Sequence, residues 1–76
     1  MAEEAEPAGS WDAGVLGCGE LVFELMMKLR ALAPGQVFRL TTRDAGAPHD
    51  IPAWCRLTGN ALVRAEPPHY FIRRKA

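Results

Sequence analysis

Residues 17–35 read GCGELVFELMMKLRALAPG, the most regular segment of this 76-residue chain. Glu24 and Lys28 stand four apart in the order that favours a helical ion pair, and Pro34-Gly35 ends the pattern. We predict an amphipathic helix, with Phe23 and Met27 as further core residues beside its apolar face. Apolar residues recur along that face at intervals of three and four, at Leu21, Val22, Leu25, Met26, Leu29 and Leu32.

A cysteine stands where this predicted helix starts. Cys18 lies between Gly17 and Gly19, and the unpaired N–H groups of a first helical turn favour the thiolate, which is the nucleophilic form. Gly19 keeps an N–H that a proline would lack, whereas the Glu20 carboxylate favours the helix but repels a thiolate that faces it. Cys18 is the candidate nucleophile; a buried, unreactive thiol is the alternative.

Shorter patterns flank the helix. Residues 10–14 are read as a short strand and residues 36–42 as a second strand, followed by a polar loop over 43–48. Asp50 is expected to cap a short second helix that contains Pro52 and ends before Gly59. Two more runs of strand composition, residues 61–66 and 69–74, should form a hairpin around Pro67-Pro68.

The order strand, helix, strand, helix, strand, strand predicts an α/β fold. We expect a two-layer sandwich with a mixed four-stranded sheet and both helices on one face. The reasons are that β-α-β crossovers are right-handed and that the second helix must bury Ile51, Trp54 and Leu57. Residues 1–9 are expected to be a disordered acidic tail, and residues 10–76 a single domain.

Composition narrows the class of protein. The chain is 49% hydrophobic and 24% charged, and it has no apolar run of the roughly 18 residues needed to span a membrane. The acidic N-terminal segment resembles neither a secretion signal nor a transit peptide, so we expect a soluble, cytoplasmic protein without a membrane partner. Two cysteines are too few for a disulfide scaffold.

The net charge is zero but unevenly spread. Residues 13–76 carry nine bases against five acids, which makes this part of the chain mildly basic. A solvated face is the simplest reading, and an acidic partner surface is the alternative, with Arg43, Arg73 and Arg74 as candidate contacts. Direct nucleic-acid binding is not expected, because the charge is modest and the aromatic residues are not interleaved with the bases.

Several stretches of the sequence form one pattern along the chain. Asp12 stands six positions before Cys18, and the helix runs into LAPGQ at residues 32–36. The segment RDAGAPHDIPAWC follows at residues 43–55, and a basic YFIRRK occupies residues 70–75. In this order and spacing, these features resemble the TusA (SirA-like) sulfurtransferase family over about residues 11 to 75.

This resemblance implies a small carrier without a cofactor. It would accept sulfane sulfur on Cys18 as a persulfide from a donor such as a cysteine desulfurase or a rhodanese-like protein. It would then pass the sulfur to a reactive cysteine of an acceptor protein, in tRNA thiolation, molybdenum-cofactor enzymes or sulfur oxidation. Gly17, Gly19, Glu20 and Asp50 are the expected supporting residues around the cysteine.

The chain departs from the family at its motif. Members carry Cys-Pro-x-Pro, whereas this chain reads Cys18-Gly19-Glu20-Leu21, so both prolines are absent. Proline fixes the backbone at a helix start, and we therefore expect a looser cysteine loop. A non-catalytic module that docks a partner enzyme is the alternative function.

The remaining polar residues give weaker signals. Cys55 stands beside Trp54 and is read as a packed thiol rather than a second carrier. Asp44 and Asp50 have ordinary roles in a turn and at a helix start. Cys18, Cys55, His49 and His69 match no zinc spacing, so no metal is expected.

Overall fold

Two helices and four strands follow one another along the chain. The computed structural model describes residues 7–75 and, at Cys18, the backbone alone. The predicted order β-α-β-α-β-β is confirmed, with β1 (Gly9–Gly14), α1 (Cys18–Arg30), β2 (Val37–Thr42), α2 (Ala47–Thr58), β3 (Ala61–Glu66) and β4 (His69–Arg73). Of the predicted N-terminal tail, residues 1–6 lie outside the described residues, and Gly9 already belongs to β1.

The four strands form one mixed sheet in the order β1-β2-β4-β3. The β1 and β2 strands are parallel because α1 carries the chain back between them, with Trp11 opposite Leu40. The β4 strand lies between β2 and β3 and is antiparallel to both, so Leu40 also stands opposite Tyr70. This is the mixed sheet that the sequence predicts.

One face of the sheet is buried beneath both helices. Since side chains alternate along a strand, Phe38 and Leu40 of β2 share a face with Tyr70 and Ile72 of β4. All four are buried, and they form the core with residues spaced four apart on the helices: Leu21, Leu25 and Leu29 from α1, and Ala47, Ile51 and Cys55 from α2. The predicted two-layer arrangement is therefore confirmed.

Three predicted core residues face outward, so those predictions are wrong. Phe23 is 56% exposed, Met27 49% and Leu57 83%. At about 100° per residue, Phe23 stands about 200° around the helix from Leu21, on the side away from the sheet. Leu57 is displaced in the same way from Cys55.

The second helix starts earlier than predicted. It begins at Ala47 with Gly46 as its N-cap, so Pro48 occupies the first turn and Pro52 lies inside the helix. A first-turn proline loses no helical hydrogen bond, which makes Pro48 compatible with this start. Asp50 is consequently the fourth helical residue, and its predicted capping role is wrong.

The end of α2 agrees with the prediction. Gly59 adopts a left-handed conformation with φ of 84° and donates its N–H to the carbonyl of Cys55. Within residues 7–75, neither helix is long and apolar enough to cross a membrane.

Candidate functional site

The first turn of α1 offers N–H groups without a side-chain cap. Gly17 is the N-cap residue, with φ of −70° and ψ of 161°, and no side-chain oxygen accepts a hydrogen bond at this helix end within the described residues. The helical residues Cys18, Gly19 and Glu20 therefore start a turn whose N–H groups have no partner inside the helix. Such a turn favours an anion, and Glu20 is the one acidic side chain in it.

The first internal hydrogen bond of this helix comes from Leu21. Its N–H donates to the carbonyl of Gly17 at 2.8 Å. The Leu21 side chain is 1% exposed and packs in the core against the sheet. The residue that stands where the family has its second proline is thus part of both the helix and the core.

The glycines beside the cysteine are surrounded by open space. A Cβ atom added to Gly17 or to Gly19 would meet no atom within 4 Å, and both residues are exposed. These two glycines therefore lie at the surface. The side chain of Cys18 is outside the described part of the chain, so its exposure stays a prediction.

The ends of β1 and β2 meet at the same edge of the sheet from which α1 starts. Gly14 stands opposite Thr42, and the N–H of Arg43 donates to the carbonyl of Gly14 at 2.7 Å. The Arg43 guanidinium is 3.8 Å from the Asp12 carboxylate, and both side chains are largely exposed. An exposed pair of this kind contributes little to stability, so Arg43 retains a charge that a partner can contact.

The loop before α2 brings two aspartates around Gly46. Asp44 accepts a hydrogen bond from the N–H of Gly46 at 3.1 Å, as expected for an aspartate in a turn. A Cβ atom on Gly46 would lie 2.8 Å from a carboxylate oxygen of Asp50, so glycine suits this position. Among the described contacts, Asp50 makes no hydrogen bond to residues 17–20, and its predicted support of the cysteine stays a prediction.

The second cysteine is in the core. Cys55 is 2% exposed and lies on the buried face of α2. Burial raises the pKa of its thiol from 9.0 to about 11, against a smaller lowering by Arg56. Cys55 is therefore a protonated packing residue at neutral pH, and the prediction of a packed thiol is confirmed.

Sequence reasoning missed two exposed apolar side chains near the start of α1. Val15, two residues before the N-cap, is 77% exposed, and Phe23 projects outward from the second turn. The signal for Phe23 was its position relative to Leu21, which places the two on opposite sides of the helix. Singly exposed apolar side chains are ordinary on protein surfaces, so their use as partner contacts is a matter for experiment.

The three arginines proposed as partner contacts lie in three places. Arg43 is at the edge of the sheet where α1 starts. Arg73 is exposed in β4 beside Val37, on the face of the sheet that the helices leave open. Arg74 lies on the other side, in a groove of about 280 Å³ with Met26, Trp54 and Leu57. They therefore do not form one patch.

The two histidines lie on different elements. His49 is exposed on α2, and Nδ1 of His69 is 2.9 Å from Oγ1 of Thr41 in the sheet. Among the side chains that the structure describes, which do not include that of Cys18, no three from His, Cys, Asp and Glu are grouped so that they could hold a metal ion.

With this geometry established, comparison with known proteins identifies the family. The family described as "Sulfurtransferase TusA" matches residues 12–74, which is most of the chain. The chain belongs to the TusA family. Two relatives, each called "Sulfur carrier protein TusA", come from Pseudomonas paraeruginosa and Pseudomonas aeruginosa. Each is 38% identical over 69 residues, covering 86% of this chain and 87% of the relative.

Membership of the TusA family confirms the resemblance seen in the sequence and places the chain among sulfur carriers. The matched region contains the end of β1, the start of α1, the loop before α2 and the whole terminal hairpin. The departure at the TusA motif has a structural counterpart in Leu21, whose N–H and side chain are both used by the fold.

Proposed function

We propose that this protein carries sulfane sulfur as a persulfide on Cys18 and passes it to a thiol of an acceptor protein. The observation that carries the proposal is the position of Cys18 at the first residue of α1, in a turn without a side-chain cap, in a chain of the TusA family. The uncapped N–H groups stabilise a negative sulfur there, as a thiolate or as the terminal sulfur of a persulfide.

Both transfer steps conserve atoms and electrons. The Cys18 thiolate attacks the outer sulfur of the donor persulfide, a new S–S bond forms, and the donor's S–S bond breaks with its electron pair left on the donor thiolate. In the second step an acceptor thiolate attacks the outer sulfur held on Cys18. The bond between that sulfur and the Cys18 sulfur breaks, and Cys18 is left as a thiolate. No net oxidation occurs, and the chemistry requires no cofactor.

The other residues near the helix start support the carrier in distinct ways. Gly17 and Gly19 leave room for a second protein to approach the backbone, since no atom lies within 4 Å of their added Cβ positions. Gly19 also supplies an N–H that the proline of the family motif lacks. Arg43, at the same sheet edge, would contact an acidic partner surface.

The proposed transfer requires two partner proteins, a sulfur donor and a sulfur acceptor. The donor would be a persulfide-bearing enzyme such as a cysteine desulfurase or a rhodanese-like protein, and the acceptor a protein with a reactive cysteine. The exposed Val15 and Phe23 provide an apolar contact close to the helix start, where both partners must approach. Transfer within such complexes is consistent with a cytoplasmic relay.

Peptide mass spectrometry, after the full-length protein has reacted, tests the proposal. The chain is incubated with a cysteine desulfurase and cysteine, and the peptide that contains Cys18 is examined for one added sulfur atom. We expect the adduct on the wild type and on Cys55→Ala, and none on Cys18→Ser. Addition of thiol should remove it.

Two results would reject the carrier function. One is a wild-type chain without an adduct under conditions that load a member with the intact Cys-Pro-x-Pro motif, and the other is an adduct of equal size on Cys18→Ser. Either result would favour the alternative, a non-catalytic module that docks an enzyme through the same fold.

A further inference from the structure

The face of the sheet opposite the helices gathers arginines that are distant in sequence. Arg39 of β2 and Arg64 of β3 both stand opposite Phe71 of β4, on either side of it. Two residues further along β4, Arg73 shares this face and stands opposite Val37. We call these five residues the arginine face.

Among the residues that the structure describes, the charge of the arginine face is only partly compensated. The Arg64 guanidinium lies 4.3 Å from the centroid of the Phe71 ring, and its Nε is 3.5 Å from a carboxylate oxygen of Glu66. Within residues 7–75, Glu66 is the one carboxylate within 4 Å of these three arginines. Asp12, on the same side of the sheet, pairs with Arg43 beyond the far end of β2.

Apolar surface accompanies the charge. Phe71 and Val37 are half-buried, and Val63 of the neighbouring edge strand is exposed beside them. Both helices pack on the other face, so no element of the described chain covers these side chains. Aromatic residues and arginines around a small apolar centre are the composition of a protein-binding surface.

We propose that the arginine face docks an acidic segment of a partner protein, with carboxylates on Arg39 and Arg73 and an apolar side chain against Val37 and Val63. Nucleic acid fits less well, because the Arg64 guanidinium already covers the Phe71 ring on which a base would stack. Carboxylates match arginines through paired hydrogen bonds, and exposed guanidinium groups attract an acidic chain at a distance.

The position of this face gives the docking a separate role from sulfur transfer. Arg39 and Arg73 lie near the start of β2 and the end of β4, whereas α1 begins beyond the opposite end of β1. A partner held on the arginine face would leave the first turn of α1 open to a second protein. The inference goes beyond the proposed function and does not depend on it.

Chemical-shift mapping of the full chain tests the inference. The ¹⁵N-labelled protein is titrated with a Glu-rich peptide that contains a few leucines. We expect the largest amide shifts at Val37, Arg39, Phe71 and Arg73. The double variant R39E/R73E should bind at least about tenfold more weakly, because two attractions become repulsions.

A matched control reverses two exposed charges of the helix layer instead. R30E/R56E should change the affinity by less than about twofold, since exposed charges further away are screened by salt. Sulfur loading from a small-molecule persulfide should be unchanged in R39E/R73E, which separates this test from that of Cys18.

Three outcomes would overturn the inference. The first is the absence of shifts on the arginine face. The second is a loss of affinity in R30E/R56E equal to that in R39E/R73E, which would show that binding depends on the net charge of the protein and not on the arginine face. The third is tighter binding of an oligouridylate of equal charge through the same residues, which would identify the face as a nucleic-acid surface.

Discussion

The N–H of Leu21 donates a 2.8 Å hydrogen bond to the carbonyl of Gly17, across the first turn that contains Cys18. In the family motif this position is a proline, which has no N–H and no long apolar side chain. Here the leucine closes the first turn of α1 and is also buried against the sheet. The start of the helix is thereby tied to the core by a residue that the motif lacks.

Restoring the second proline should therefore damage the fold. Leu21→Pro removes a buried leucine and a helical hydrogen bond, and we expect a loss of about 3 kcal/mol or more in the free energy of unfolding. Urea denaturation followed by circular dichroism measures it.

Gly19→Pro is the matched control for that substitution. Its N–H is not used inside the helix, so a proline there moves the helix start by at most a residue and should change stability by less than about 1 kcal/mol. A Leu21→Pro protein as stable as the wild type would contradict the burial of Leu21.

Alkylation should distinguish the two cysteines. Iodoacetamide at neutral pH is expected to modify the native chain at Cys18 and to leave Cys55 intact, because the Cys55 thiol is buried and its pKa is about 11. In urea both cysteines should react. Peptide mass spectrometry reads out the sites, and rapid native labelling of Cys55 would show that α2 does not bury it.

Stability should fall in alkaline solution. Because the pKa of Cys55 is about 11 in the folded chain against a reference of 9.0, the unfolded chain loses this proton first. The contribution is complete below pH 9 and is lost as the pH rises through 11; it amounts to about 2 kcal/mol or less. Burial also raises the pKa of Tyr70 above 10.0, which adds to the same trend.

Denaturation at several pH values between 8 and 11 measures this dependence, with Cys55→Ala as the control. That variant should be less stable at neutral pH, because it leaves a small cavity, but its stability should decline less steeply over the alkaline range. If the free energy of unfolding falls equally steeply with pH in both proteins, groups other than Cys55 cause the decline.

Phe23 should matter for protein partners and little for the fold. Since its side chain is 56% exposed, Phe23→Ala is expected to change stability by less than about 1 kcal/mol. Transfer from a protein donor should slow by about tenfold if the ring is an apolar anchor, while loading from a small persulfide stays normal. Leu57→Ala, an exposed apolar residue beside the far end of α1, is the control, and equal slowing in both variants would remove the special role of Phe23.

The fold was largely predictable because the local sequence patterns agree with the helices and strands that form. The four-residue spacing of Leu21, Leu25 and Leu29 predicted the buried face of α1, and Gly59 predicted the end of α2 through its freedom to adopt positive φ. The start of α2 was not predictable in the same way. A helix could start so that either Pro48 or Pro52 lies in its first turn. The observed start places Pro48 there and buries Ala47 in the core, a tertiary contact that the local sequence does not reveal.

The place of Cys18 in the fold was predictable, whereas its role as the reactive residue stays a prediction. Its place between two glycines before an apolar helix pointed to the first turn of α1, where the backbone now lies. Surfaces assembled across strands were not accessible to sequence reasoning. Arg39, Arg64 and Phe71 are brought into one row by strand register. Arg73 at the end of β4 and Arg74 just after it lie on opposite sides of the sheet.

The central position of β4 sets the order in which this molecule can be completed during synthesis. The last strand of the chain lies between β2 and β3, and its Tyr70 and Ile72 fill the middle of the core. In a nascent chain that still lacks these residues, β3 has no strand to pair with and the middle of the core is not filled. Cooperative folding therefore requires that residues up to Ile72 have left the ribosome, and a chain that stops before Tyr70 would lack the strand that joins β2 to β3.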